Sequence, residues 1–189
     1  MIKYRYSIYK VFITILLFVI ITYFQALKWE NGDAISYLQV GIDRWGQPEH
    51  LSKKRGGIAI WTKKQLKNTC FEVIELRDES VPHCVPLPHR DFLYTYINYE
   101  VSPELFADVL ALSGSVSYDP LKKLIRARCG SNEANIATLY LTTEIASGKQ
   151  NLRDIQQNKI YHGHQSKIDI LKSSKLFRND GSDSTYLSK

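Results

Sequence analysis

The densest chemistry in this sequence lies between Arg77 and Asp91, RDESVPHCVPLPHRD. His83 and His89 stand there with Asp91 in a segment that holds three prolines. Two neutral imidazoles and a carboxylate are a ligand set for zinc or another divalent ion, with a position left open for water. In that reading Glu79 is a candidate general base for a metal-dependent hydrolase. Cys84 beside His83 offers another chemistry, because an imidazolium favours the thiolate form of a neighbouring cysteine. The plainer alternative is a surface crossover stiffened by proline, with its histidines bonded to backbone and its acids solvated. The spacing H-x5-H-x-D has no fixed local geometry, so these readings stay open at this stage. A second pair, His162 and His164 around Gly163, sits in a polar stretch where ligands would not be pre-organised.

Motifs with a definite mechanism are absent. There is no phosphate loop, no dinucleotide glycine fingerprint, no nucleophile elbow, no H-E-x-x-H and no C-x-x-C pair. The sequence therefore predicts no catalytic residues and no cofactor, with a divalent metal as the alternative. Three cysteines cannot all pair within one chain and are too few for a disulfide scaffold.

The elements around the 77–91 segment read as one domain over residues 31–150. Asp33 is placed to cap an amphipathic segment through Trp45. Gly46 to Arg55 reads as a loop. Ile58–Trp61 and Cys70–Leu76 read as strands, rich in β-branched and aromatic residues, and able to form a hairpin. Ser80 to Arg90 is excluded from interior strand or helix by its prolines. Phe92 to Val101, FLYTYINYEV, is the clearest strand, with large residues in both alternation phases and burial expected on both faces. Three helical signals follow. Ser102-Pro103-Glu104 opens a helix to about Leu112, and Asp119-Pro120 opens a second through LKKLIRARC. Ser131 opens a third, over Asn132–Ser147, with Ile136, Leu139, Tyr140 and Thr143 as its apolar stripe. Strands first and helices later predict an α+β domain: a short, mostly antiparallel sheet and about three C-terminal helices. Residues 151–189 read as a helical start, NLRDIQQNK, then a basic, mobile tail.

Charge and hydropathy add a membrane expectation. The chain has 189 residues and a net charge of +6. That excess sits at the two ends, while residues 31–150 balance to zero, unlike a nucleic-acid-binding fold. Val11 to Phe24, VFITILLFVIITYF, carries no charge, and the run from 11 to 27 lies between Lys10 and Lys28. As a helix it would reach about 25 Å, the short end of a membrane span. Tyr4, Tyr6 and Tyr9 on one flank, and Tyr23, Phe24 and Trp29 on the other, resemble an aromatic belt. The stretch after the core, TYFQALKW, lacks the small residues of a signal-peptide cleavage site. A single-pass anchor over residues 1–30 is the expectation, embedded in the bilayer through 11–27. Lys3, Arg5 and Lys10 put the preceding flank in the cytoplasm and the domain across the membrane. The lack of an Asn-x-Ser/Thr sequon argues against that placement, and both sides stay open. Lys28, Lys53, Lys54 and Arg55 join the first three as candidates for contact with anionic lipid. The bland alternative pairs the basic 53–67 stretch with the acids of 72–79 across a hairpin.

At VPHCVPLPHRDFLY (81–94) and SYDPLKKLIRARCGSNEANIATL (117–139) the chain resembles small membrane-anchored proteins of large nucleocytoplasmic DNA viruses. The likeness covers roughly the middle half of the chain. It implies a minor virion component that links an internal membrane to the capsid shell, with capsid proteins as partners. It assigns no catalytic residue. The resulting expectation is a membrane-anchored structural and interaction protein, with the tethered metal-dependent hydrolase as the alternative.

Overall fold

A computed structural model describes residues 27–67, 69–84 and 88–157. The run from 11 to 26, with Lys3, Arg5 and Lys10, lies outside the described residues, as do His162, His164 and the chain beyond 157. Among the described residues no helix is long and apolar enough to cross a membrane.

The domain is α+β. The order is α1 (Gly32–Trp45), β1 (His50–Leu51), β2 (Ile58–Thr62), β3 (Phe71–His83), β4 (His89–Asn98), a 3-10 turn (Pro103–Leu105), α2 (Phe106–Ala111), β5 (Val116–Asp119), β6 (Leu124–Cys129), α3 (Asn132–Ala146) and α4 (Leu152–Gln157). The strands form one six-stranded sheet in the order β1-β2-β3-β4-β6-β5, with every neighbouring pair antiparallel.

Alternation assigns the two faces of the sheet. Ile74, Leu76, Leu93, Ile97, Ile125 and Ala127 are buried in a core shared with Ala34 and Leu38 of α1 and with Leu139 and Ile145 of α3. The opposite phase carries Glu75, Arg77, Tyr94, Tyr96 and Arg126, which meet one another across the strands. The Arg77 guanidinium stands 4.5 Å from the Tyr94 ring centre, and that of Arg126 stands 5.5 Å away. Glu75 pairs with Arg77 and accepts from the Tyr96 hydroxyl at 3.2 Å. Tyr94 is thus buried under arginines, which is how β4 comes to be covered on both faces.

Three expectations need correcting. The 117–129 stretch is a strand hairpin and not a helix. Asp119 and Pro120 form a turn, in which the Asp119 carboxylate accepts from Leu121 N and Lys122 N at 3.0 and 3.1 Å. Lys123 follows with φ +53°. Period-two alternation in LIRARC then outweighs the helical start signal, because Ile125 and Ala127 fill the core from a strand. Second, α3 is buried on nearly all sides and is not a surface helix with one stripe. Asn135 Nδ2 donates to Leu93 O and Thr95 Oγ1, and Thr142 Oγ1 donates to Thr138 O, while Asn135 Oδ1 and both side-chain polar atoms of Asn132 are buried without a hydrogen bond. The prolines do keep the 80–90 segment out of the sheet interior: β3 runs through Pro82 to His83, and β4 starts at His89, as an edge ribbon. Pairing of β2 with β3 ends at Ile58 opposite Arg77, so Pro82 lies where β3 has β4 as its one neighbour. A missing N–H costs nothing on such an edge. Third, Asn31, and not Asp33, caps α1, its side chain accepting from Asp33 N and Ala34 N.

Candidate functional site

Beyond the main sheet, β3 and β4 continue as a two-stranded ribbon. Val81 pairs with Asp91, Pro82 with Arg90 and His83 with His89. The spacing H-x5-H therefore places the two histidines directly opposite across a hairpin, and the further step of two puts Asp91 on the same ribbon face. The imidazole centres are 4.8 Å apart.

A large bulge precedes this ribbon. Leu76 pairs with Leu93 and Val81 with Asp91, so Arg77, Asp78, Glu79 and Ser80 together oppose Phe92. Bulges re-aim side chains. Here Phe92 packs against Tyr37 of α1, with ring centres 5.4 Å apart, while Asp91 meets Arg128.

Asp91 is fully buried. His89 Nε2 lies 3.1 Å from its Oδ1, and His83 Nδ1 and Arg128 Nε lie 3.4 and 3.2 Å from its Oδ2. Neither carboxylate oxygen takes part in a hydrogen bond of good geometry, nor does Arg128 Nε. Ser115 Oγ is 3.2 Å from His83 Nδ1, and Cys129 Sγ is 3.5 Å from His89 Nε2. The ligand atoms of His83, His89 and Asp91 all fall within 4.8 Å of one another.

This geometry separates the chemistries left open by the sequence. A relay of nucleophile, imidazole and carboxylate needs its two partners on opposite ring nitrogens. Ser115 and Asp91 share Nδ1 of His83, and Cys129 and Asp91 share Nε2 of His89, so neither trio is a relay. Cys84 is exposed at the turn, while His83 faces Ser115 and Asp91. Glu79 leans over Gly56 and stands outside the converging group. Ser115, Arg128 and Cys129 were not singled out from the sequence. The signal was there for Arg128, since LIRARC read as a strand puts Arg126 and Arg128 on one face.

A second cluster forms where the described chain begins. Lys28 N donates to Lys53 O at 2.8 Å, and Trp29 Nε1 donates to Ser52 O at 2.8 Å. The 52–55 turn is thereby held beside Lys28, which gathers Lys28, Lys53, Lys54 and Arg55 at one place. Arg55 pairs with Glu30 at 3.0 Å. Trp29 is buried inside the domain and so is not a belt residue. Lys63, farther along the basic stretch, pairs with Glu72 at 3.1 Å across the β2–β3 connection.

Comparison of the chain with protein-family models, with curated proteins and with solved structures returns no match.

Proposed function

We propose that this chain is a single-pass membrane-anchored interaction protein whose domain rests with its 52–55 turn against anionic headgroups. The observation that carries this reading is the Lys28–Lys53 backbone pairing. It brings four cations together directly after the apolar run of residues 11–27. Each cation near a negative leaflet contributes about 1 kcal/mol, and Glu30 offsets part of the Arg55 share. The buried Trp29 fastens the chain to the domain next to the anchor, so the domain is held at the surface and not on a free tether. The viral resemblance gives this reading its partners: structural proteins of a capsid shell that meet the domain, with the segment 11–27 in the internal membrane.

Carbonate extraction of membranes that carry the full chain tests the anchor. The chain is expected in the resistant pellet, and a Leu16→Lys, Val19→Lys variant in the supernatant. Recovery of the unaltered chain in the supernatant would end the reading. The surface contact is tested by hydrogen exchange of the full chain in nanodiscs. The 52–55 amides are expected to slow with phosphatidylserine relative to phosphatidylcholine, and to lose that protection at high salt.

A further inference from the structure

We infer that His83, His89 and Asp91 form a binding site for one divalent first-row transition ion of the zinc type. The inference is independent of the membrane reading. It begins with separations. Zinc holds nitrogen and oxygen ligands at about 2.0–2.2 Å, which in a tetrahedral arrangement sets them roughly 3.3–3.5 Å apart. The Asp91 oxygens stand 3.1 and 3.4 Å from the two imidazole nitrogens, and all three donors fit within 4.8 Å.

Orientation supplies the second argument. Contacts this short between imidazoles and a carboxylate are ordinarily hydrogen bonds, yet neither Asp91 oxygen makes one of acceptable geometry. The donors lie beside one another and are not aimed at one another, as ligands around a common centre do. A fully buried carboxylate without hydrogen bonds is costly, and buried charges pair or coordinate metals. Arg128 provides one positive neighbour at Oδ2, but its Nε is also out of line for a hydrogen bond. Donor chemistry then selects the ion. Imidazole nitrogen suits zinc, iron, cobalt or copper, and not the oxygen-seeking calcium and magnesium. Ser115 Oγ and Cys129 Sγ now hydrogen-bond to the same two nitrogens, Nδ1 of His83 and Nε2 of His89, and an ion would take the place of those bonds.

The site also has a place in the fold. The 81–83 and 89–91 ribbon extends past the strands that flank it, β2 and β6. An ion held by residues from both of its strands closes that end.

The test uses the full chain in detergent micelles, stripped with a chelator and dialysed against micromolar zinc. Elemental analysis is expected to find one zinc per chain. His83→Gln and His89→Gln, both at partly exposed positions, are each expected to lower zinc affinity at least about 100-fold in competition with a fluorescent chelator. A His162→Gln, His164→Gln double variant is expected to bind as the parent does. Cobalt(II) in the unaltered chain supplies a reading that needs no variant, through the intense visible bands of four- or five-coordinate cobalt. Absence of stoichiometric zinc, absence of those bands, unchanged affinity in both histidine variants, or loss confined to the 162/164 variant would each overturn the site.

Discussion

Two buried aspartates lie thirteen positions apart, on either side of the same hairpin turn, and their surroundings differ sharply. Asp78 accepts three backbone bonds: from Glu30 N at 2.7 Å, Asn31 N at 2.8 Å and Gly56 N at 2.8 Å. Its own N–H donates to Gly57 O. It ties the start of α1 and the 52–57 turn to the bulge of β3, and its charge is answered by amides that would otherwise be orphaned. Asp91 is more deeply buried and receives no such bond. Its neighbours are ionisable side chains from three strands. A carboxylate saturated by backbone donors is structural, whereas one left among titratable side chains has capacity for a ligand.

Stability measurements can break or sharpen this contrast. Asp78→Ala should show the largest effect, a loss of about 3 kcal/mol, since three charge-assisted bonds go and their part-buried donors lose their acceptor. Zinc binding should survive in whatever fraction remains folded. Urea denaturation of the full chain in micelles reads the first effect, and a loss under about 1 kcal/mol would erase the distinction. Gly57→Ala should come next, at about 2–3 kcal/mol. A Cβ there would collide with Ser52 O and Trp29 Nε1 and meet Lys54 O at 2.7 Å, forcing the Asp78 turn open. Because Ser52 O and Lys54 O are backbone atoms, shortening Trp29 to Phe should leave most of that loss in place, and full rescue would assign the clash to the indole alone.

Asp91→Asn in the metal-free chain should cost less than Asp78→Ala, about 1–2 kcal/mol, because Asn keeps the volume and the partly exposed Arg128, His83 and His89 are answered by solvent once the carboxylate is gone. The same variant should lose the rise in melting temperature that zinc gives the parent. A cost equal to that of Asp78→Ala would make Asp91 a structural residue as well.

The smallest effect concerns Tyr37, which packs on Phe92, the lone residue opposite the bulge. Burial, followed by the Glu133 carboxylate, raises its hydroxyl from 10.0 to about 12. The folded state favours the neutral phenol, so this contribution is complete below pH about 10 and disappears as pH rises through 12. Tyr37→Phe should flatten that alkaline decline, as followed by denaturation at pH 9 and pH 11. An unchanged decline would assign it to other tyrosines.

Much of the scaffold was legible in the residues. Ile58–Trp61 and Cys70–Leu76 declared themselves by β-branched content and do pair as antiparallel strands. The Ser131 cap and the long run behind it announced α3, because a capping oxygen and an uninterrupted helical stretch are local signals. Where local signals competed, the reading failed. Asp119-Pro120 opens a helix or a turn equally well, and only the need for Ile125 and Ala127 in the sheet core decides for the turn. The prolines of 82–88 argued against an interior strand, and Pro82 does stand where β3 has a single neighbour.

The sequence by itself determined an α+β chain and the residue types of its candidate chemistry, since composition and periodicity are carried along the backbone. The tertiary structure decided which of those residues meet. Asp78 lies inside a four-against-one bulge, invisible to periodicity, and goes to backbone amides, while Asp91 just beyond it meets two imidazoles and Arg128. Cross-strand register sets these distances, and register depends on partners far away in the chain.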